Sequence, residues 1–155
     1  MTQQLDLVST SAAYPVAIGL DAGQHTGIAV FDRVNGCFLE IRETTFAGAI
    51  WHITETYKRA IIVIELPNTK SVWHKAGKNL AVIQRTAVNV GSVLREAELL
   101  RDTLQFVGRR LGCDYEIRTV HPQGKLDADR FRRITGHNGR INQHCRDAGL
   151  LVWGV

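Results

Sequence analysis

The hydrophobic and polar positions along the chain form two kinds of pattern, and each predicts one type of element. Short apolar or alternating runs predict strands, whereas apolar positions that recur every three or four residues predict helices. The runs Val16–Asp21 and Ala60–Glu65 are almost entirely apolar, which is typical of strands covered on both faces. The predicted strands are 16–21, 28–31, 37–42, 60–65 and 115–120. The predicted helices are 46–59, 80–111, 125–134 and 141–152.

The order of these elements predicts the architecture. Three strands follow one another as a meander, with a hairpin signal at Asn35-Gly36, and helices and strands then alternate. This order favours an α/β fold, a mixed sheet with helices on its faces. We expect a single domain over residues 15–155, preceded by a flexible polar arm over residues 1–14.

The predicted helix over 80–111 is long for a small domain. At about 1.5 Å per residue it would reach about 45 Å. This length predicts either a break near Gly91 or a contact with a second subunit. Its apolar stripe consists of Ile83, Ala87, Val90, Leu94, Ala97, Leu104 and Leu111.

The composition favours a cytoplasmic protein without a membrane segment. The three cysteines are scattered without metal-ligand spacing, which is typical of a reducing compartment. The first residues, MTQQLDLVSTSAAYP, lack the cationic start and apolar centre of a secretory signal. No apolar run approaches the roughly 18 residues that a membrane span requires.

Basic charge is concentrated in two stretches of the chain. The net charge is +4, but residues 66–86 carry four Lys or Arg and no acid. Residues 118–146 carry seven Lys or Arg and two Asp, which gives a net +5. This clustering predicts a polyanionic partner such as a nucleic acid.

Four residues are candidates for catalysis. Asp21 and Glu65 each end an apolar strand, and if those strands are parallel neighbours, both carboxylates emerge at one edge of the sheet. Buried acids at such positions are costly unless they are paired, protonated or bound to a metal ion. His144 and Asp147 are three residues apart on the last predicted helix and therefore share a face.

In these motifs the chain resembles the RuvC-type Holliday junction resolvases of the RNase H-like superfamily. The resemblance lies in the segments LDAGQHTGIAV, AIIVIELP and HCRDA, and it covers about residues 16–152. The segment TGHNGRINQHCRDAGLL is similar to that of small phage or prophage members. The resemblance implies a five-stranded sheet in the order 3-2-1-4-5, with the first strand central and helices on both faces.

The resemblance also implies an activity, which is the hydrolysis of phosphodiesters in branched DNA. We expect a Mg²⁺-dependent endonuclease that resolves four-way junctions by paired nicks as a homodimer, without an organic cofactor. Asp21 would bridge two Mg²⁺ ions, with Mn²⁺ able to substitute, and Glu65 and Asp147 would each ligate one ion. His144 either ligates a metal ion or orients the attacking water.

Members of this family carry, in the loop after the Glu, an aromatic residue that inserts into the DNA junction, and Trp73 is the corresponding candidate here. Together with the basic stretches, this gives ten expected DNA contacts. They are Lys70, Trp73, His74, Lys75, Lys78, Arg85, Arg132, Arg133, Arg140 and Asn142.

Two alternative functions remain open from the sequence. The first is an RNase H-like nuclease that processes RNA, as in the YqgF-type proteins, and a monomer that prefers RNA would support it. The second is a DNA-binding module that has lost catalysis, which the presence of Asp21, Glu65 and Asp147 argues against.

Overall fold

The computed structural model describes residues 13–68, 79–122 and 124–155. The predicted arm therefore lies almost entirely outside the described residues. The strands are β1 (Val16–Asp21), β2 (Thr26–Asp32), β3 (Cys37–Thr44), β4 (Arg59–Glu65) and β5 (Asp114–Val120). The helices are α1 (Phe46–Thr56), α2 (Leu80–Arg110), α3 (Ala128–Thr135) and α4 (Gln143–Val152).

The strands form one mixed sheet in the order β3-β2-β1-β4-β5, which confirms the predicted order. β1 pairs with β2 antiparallel, and β2 pairs with β3 antiparallel. β1 and β4 are parallel neighbours, as are β4 and β5. Gly36 turns the hairpin between β2 and β3 with a φ of 68°, a conformation that favours glycine. The carboxyl ends of β1, β4 and β5 consequently lie at the same edge of the sheet.

Helices cover both faces of the sheet, because successive side chains of the central strands point to opposite sides. Ile18, Leu20 and their neighbours on one face are buried under α1 and α2. Ala17 and neighbours on the other face are buried under α4. The small α3 packs its buried Phe131 against Gly149 of α4 and Phe38 of β3.

The long helix α2 runs unbroken through Gly91 for 31 residues. Its fully buried positions are confined to the second half, namely Ala97, Leu100, Leu104 and Gly108. Of the predicted stripe, Ala97 and Leu104 are buried in the single chain, whereas Ala87 and Leu111 are exposed. Among the described residues, no helix is long and apolar enough to cross a membrane.

Two helices begin later than predicted, because side-chain caps fix their first residues. α3 begins at Ala128 rather than at 125, since the carboxylate of Asp127 accepts a hydrogen bond from the backbone N–H of Arg130. α4 begins at Gln143 rather than at 141, since the side chain of Asn142 accepts one from Cys145. α1 ends at Thr56, three residues before the predicted end.

Candidate active site

The site begins with two carboxylates at the ends of adjacent strands. β1 and β4 run parallel in a register that pairs Leu20 with Ile64, so the next residues, Asp21 and Glu65, leave the sheet side by side. The five residues before each acid are buried. In each strand, the acid is the first residue after this buried run that reaches solvent. This confirms the expectation that strands 16–21 and 60–65 are parallel neighbours.

Helix α4 reaches this edge because two glycines let it lie directly on the sheet. A Cβ atom at Gly19 of β1 would overlap the backbone carbonyl of Ala148, and one at Gly27 of β2 would overlap that of His144. With no side chain at either position, the helix approaches the strand backbones more closely than any other residue would permit. The first turns of α4 are thereby held over the end of β1.

This contact brings His144 and Asp147 to the carboxylate edge. The ring Nδ1 of His144 lies 2.8 Å from Oδ2 of Asp21. Since an ionised carboxylate only accepts hydrogen bonds, Nδ1 donates in this contact, and in a neutral ring Nε2 is then the acceptor. The His144 side chain is 48% exposed, whereas that of Asp21 is 15% exposed. Nε2 is therefore the free nitrogen of a ring whose orientation Asp21 fixes.

Asp147 is the most buried acid of the group, with 8% of its surface exposed. Its Oδ1 accepts a hydrogen bond of 2.6 Å from Nε2 of Gln143, one turn earlier on α4. Oε1 of Gln143 in turn accepts from Nη2 of Arg146 at 2.7 Å. The guanidinium thus fixes which end of the Gln143 amide faces Asp147.

The electrostatics show that the three acids act on one another. Burial, followed by the charges of Asp21 and Asp147, raises the pKa of Glu65 from 4.5 to about 7. Burial also raises the pKa of Asp21, with a further contribution from Asp147, while the bond from His144 opposes the change. Lys125 lowers the pKa of both Glu65 and Asp21. In the absence of a cation, ionisation of Glu65 and Asp21 is therefore unfavourable here.

A cavity of about 420 Å³ opens beside the acids. Glu65 and Asp147 line it together with Lys125 and Arg130, and Val120, Leu150 and Leu151 contribute apolar surface. Lys125 was predicted to lie on a basic helix, but it belongs to the loop between β5 and α3. The strand order contains the signal that was missed, because residues that follow β5 leave the sheet at the same edge as Glu65.

The donor set of the site fits a hard divalent cation. Asp21, Glu65 and Asp147 offer only oxygen atoms, which Mg²⁺ prefers. No hydrogen bond or ion pair joins Glu65 to another described residue, so its oxygens are available. Within residues 13–68, 79–122 and 124–155, however, no three His, Cys, Asp or Glu side chains already surround a common metal position. Binding an ion would therefore require these side chains to rotate towards one another.

The predicted DNA contacts divide into three groups. Arg85, Arg132, Arg133 and Arg140 are exposed, as a binding surface requires. Asn142 caps α4, and its amide nitrogen also donates to Oε2 of Glu43, so both ends of this side chain have partners within the fold. The remaining five lie outside the described residues. They are Lys70, Trp73, His74, Lys75 and Lys78.

Comparison with known proteins supports the fold. No family model matches the chain, and no curated protein matches its sequence. Among solved structures, RuvC of T. thermophilus in complex with a Holliday junction substrate superimposes with a TM-score of 0.57. The match covers 90% of this chain and 91% of that one, at 12% sequence identity. With the strand order 3-2-1-4-5 and helices on both faces, it establishes an α/β fold of the RNase H-like type.

Proposed function

We propose that this protein is a metal-dependent endonuclease that cuts branched DNA and resolves four-way junctions by paired nicks. The observation that carries the proposal is the convergence of Asp21, Glu65, His144 and Asp147 at one edge of the sheet. These residues come from two strands and a helix that are distant in sequence, and nothing in the core requires acids there. The charge repulsion that they create is the expected cost of a site built for cations.

Asp21, Glu65 and Asp147 are the residues that would hold two Mg²⁺ ions, or Mn²⁺ in their place. The bound metal would supply charge neutralisation at the phosphate and a more acidic water. Asp21 has a second task, which is to orient His144 through Nδ1. Nε2 of His144 then faces solvent as an acceptor, which suits it to hold a water molecule or take its proton.

Lys125 and Arg130 line the same cavity as the two acids Glu65 and Asp147. A phosphodiester in this cavity would meet both carboxylates and cations. Lys125 and Arg130 would position it through charge without reading its sequence. The exposed arginines Arg85, Arg132, Arg133 and Arg140 provide further cationic surface for the arms of the substrate.

The choice of branched DNA rests on the structural neighbour, whose substrate is a Holliday junction. The test is a panel of end-labelled substrates, namely a four-way junction, a flap, a linear duplex and a structured RNA, each with Mg²⁺ and with EDTA. We expect Mg²⁺-dependent cleavage of the junction in preference to the duplex. Preferential cleavage of RNA would instead support an RNA-processing nuclease, and binding without any cleavage would indicate a non-catalytic module.

Replacement of Lys125 by Met is expected to move the acid limb of the cleavage profile to higher pH. The positive charge of Lys125 lowers the pKa of Glu65 and Asp21, so its removal extends the protonated form of both acids upward. Cleavage should fall more at about pH 6.5 than at about pH 8.5, because these two assay conditions lie on either side of the pKa of about 7 for Glu65. Rates measured across this range provide the comparison.

The matched control is Lys58→Met. Lys58 immediately precedes the first residue of β4, at the end of the strand away from Glu65, and its ammonium donates to the carbonyl of Thr54. That variant should keep the wild-type profile. An unchanged profile in Lys125→Met would contradict a role of Lys125 in the ionisation of the site.

We propose that the active form is a homodimer, because a single site nicks only one strand. The first half of α2 supports this proposal, since none of its residues is fully buried in the single chain. Leu80, Val82 and Val88 are exposed there, Val88 by 69%. Apolar side chains at this density are typical of a surface that a second protein copy covers.

Sedimentation of the wild-type protein at micromolar concentration is expected to give about twice the chain mass of 17.3 kDa. Val88→Glu should give a monomer that nicks one strand of a junction without the paired second nick. Phe106→Glu is the matched control, since Phe106 is equally exposed but lies in the half of α2 that packs on the sheet. A wild-type monomer that stays monomeric with junction bound would refute the dimer.

A further inference from the structure

A second cavity, of about 270 Å³, lies between α3 and the loop that leads into α4. Arginine side chains dominate its lining, since Arg132, Arg140 and Arg146 all contribute to it. His137 lines it as well, and its Nε2 is buried without a hydrogen-bond partner among the described residues. None of the described residues that line the cavity is acidic.

The positive charge of this cavity is poorly compensated. Arg132 has one ion pair, with Asp129 at 3.5 Å, and both side chains are largely exposed, so this pair contributes little. Arg140 has no hydrogen bond or ion pair to another residue of the described part of the chain. Arg146 donates only to uncharged oxygens, those of Leu126, Ile141 and Gln143. Three guanidinium groups around one small cavity produce a local potential that attracts an anion.

Arg146 also connects this cavity to the carboxylate site. A guanidinium has five N–H groups, and three of those of Arg146 are used within the fold, which leaves two for a ligand. Towards the carboxylate site, Arg146 donates a hydrogen bond to Oε1 of Gln143, and Nε2 of Gln143 donates one to Oδ1 of Asp147. An anion bound to Arg146 would restrict the movement of its guanidinium and, through Gln143, that of the Asp147 side chain.

We propose that the cavity binds one phosphate group of the nucleic-acid backbone, and that Arg146 and Gln143 link this binding to the position of Asp147. The ligand class rests on the proposed function, but the cationic cavity itself does not. Phosphate groups suit this site because arginine binds them through paired N–H donors. Arg140 and Arg132 are ligands in this scheme, whereas Gln143 is a positioning residue that acts through Asp147.

The binding half of the proposal is tested without metal and without cleavage. Affinities of the wild type, Arg140→Ala and Arg110→Ala are measured for inorganic phosphate and for a duplex DNA over a range of salt concentrations. Arg110 is the control, since it is an exposed arginine at the end of α2, away from the cavity. We expect Arg140→Ala to weaken phosphate binding about tenfold and to lower the slope of log K against log salt for DNA by about one.

Three outcomes would overturn this half. If Arg140→Ala and Arg110→Ala lost affinity equally, general surface charge would explain the binding. If neither variant lost affinity, the cavity would not be a phosphate site. Weakened phosphate binding with an unchanged DNA slope would indicate a site for a free anion instead of the nucleic-acid backbone. Because none of these readouts needs catalysis, a failure of the proposed nuclease activity is distinguishable from a failure of the phosphate site.

The linkage half is tested with Gln143→Met, which keeps the length of the side chain and removes both hydrogen bonds. We expect the affinity of the protein for Mn²⁺ to fall by about tenfold, the scale for groups that hold a metal ligand in place. The turnover number should fall while the DNA affinity stays at its wild-type value. Wild-type Mn²⁺ affinity together with wild-type turnover would overturn the linkage. A circular dichroism melt of each variant confirms that it is folded.

Discussion

Replacement of Glu65 by Gln is expected to abolish metal-dependent cleavage and, at the same time, to make the metal-free protein more stable at pH 8. Both effects arise from the carboxylate of Glu65, which is buried beside Asp21 and Asp147. Burial, followed by the charges of these two acids, raises the pKa of Glu65 from 4.5 to about 7, so the folded protein resists ionisation of this carboxyl. Gln has the same shape without the charge.

The pH dependence of the stability effect follows from the direction of this change. Between pH 4.5 and about 7 the folded state binds more protons than the unfolded state, so the free energy of unfolding falls as the pH rises. Above about pH 7 the folded wild type carries the full free-energy cost of ionising Glu65, whereas Glu65→Gln carries none of it. The rise in pKa corresponds to roughly 3 kcal/mol, and solvent screening reduces the expected gain to about 1–2 kcal/mol. At pH 4 the two proteins should be equally stable.

Urea unfolding in EDTA at pH 4 and pH 8 measures this difference, and a junction cleavage assay measures activity, which should fall by about 100-fold or more. The control is Glu55→Gln, an exposed glutamate on α1, which should leave stability and cleavage unchanged. A Glu65→Gln protein that is less stable than the wild type at pH 8 would show that the fold stabilises this carboxylate, which contradicts the charge crowding.

Replacement of Gly27 by Ala is expected to reduce both stability and cleavage strongly. Gly27 lies opposite Asp21 in the sheet, and an added Cβ would overlap the carbonyl group of His144. Backbone atoms on both sides leave no flexible side chain to move, so α4 must shift away from β2. The contact of 2.8 Å between His144 and Asp21 would then be lost. Overpacking of this kind costs about 1–3 kcal/mol, and a misplacement of about 1 Å at a catalytic site costs about 100-fold in rate.

Gly91→Ala is the matched control, because a Cβ at Gly91 of α2 would meet no atom within 4 Å. Alanine favours a helix over glycine by about 0.5–1 kcal/mol, so this variant should be slightly more stable rather than less stable. Chemical unfolding and junction cleavage are compared for both variants. Wild-type activity in Gly27→Ala would mean that the position of α4 on β2 does not matter for catalysis.

Local patterns in the sequence predicted the strands and the acids at their ends, whereas the order of the strands was implied by the family resemblance. Unbroken apolar runs before Asp21 and Glu65 mark buried parallel strands, and an acid that ends such a run must lie at the sheet edge. The His144–Asp147 pair was predicted from helical spacing in the same way. The position of each of these residues depends on its neighbours in the sequence and on the order of the strands.

The parts that the sequence did not predict depend on contacts between distant residues. Lys125 lines the same cavity as Glu65 because β5 is parallel to β4, although its own neighbours suggested a basic helix. The roles of Gln143 and Arg146 depend on side-chain hydrogen bonds that no periodicity encodes. No sequence pattern singles out the glycines at positions 19 and 27, and only the packing of α4 shows why no side chain fits there.

The central claim is that Asp21, Glu65 and Asp147 form a cation site that cuts branched DNA. It is tested most directly with a four-way junction whose two opposed strands carry different labels. The wild type and Asp21→Asn are incubated with it, with Mg²⁺ and with EDTA. We expect paired nicks at symmetric positions for the wild type with Mg²⁺ only, and junction binding without cleavage for Asp21→Asn. Equal cleavage by both proteins, or cleavage by the wild type in EDTA, would contradict it.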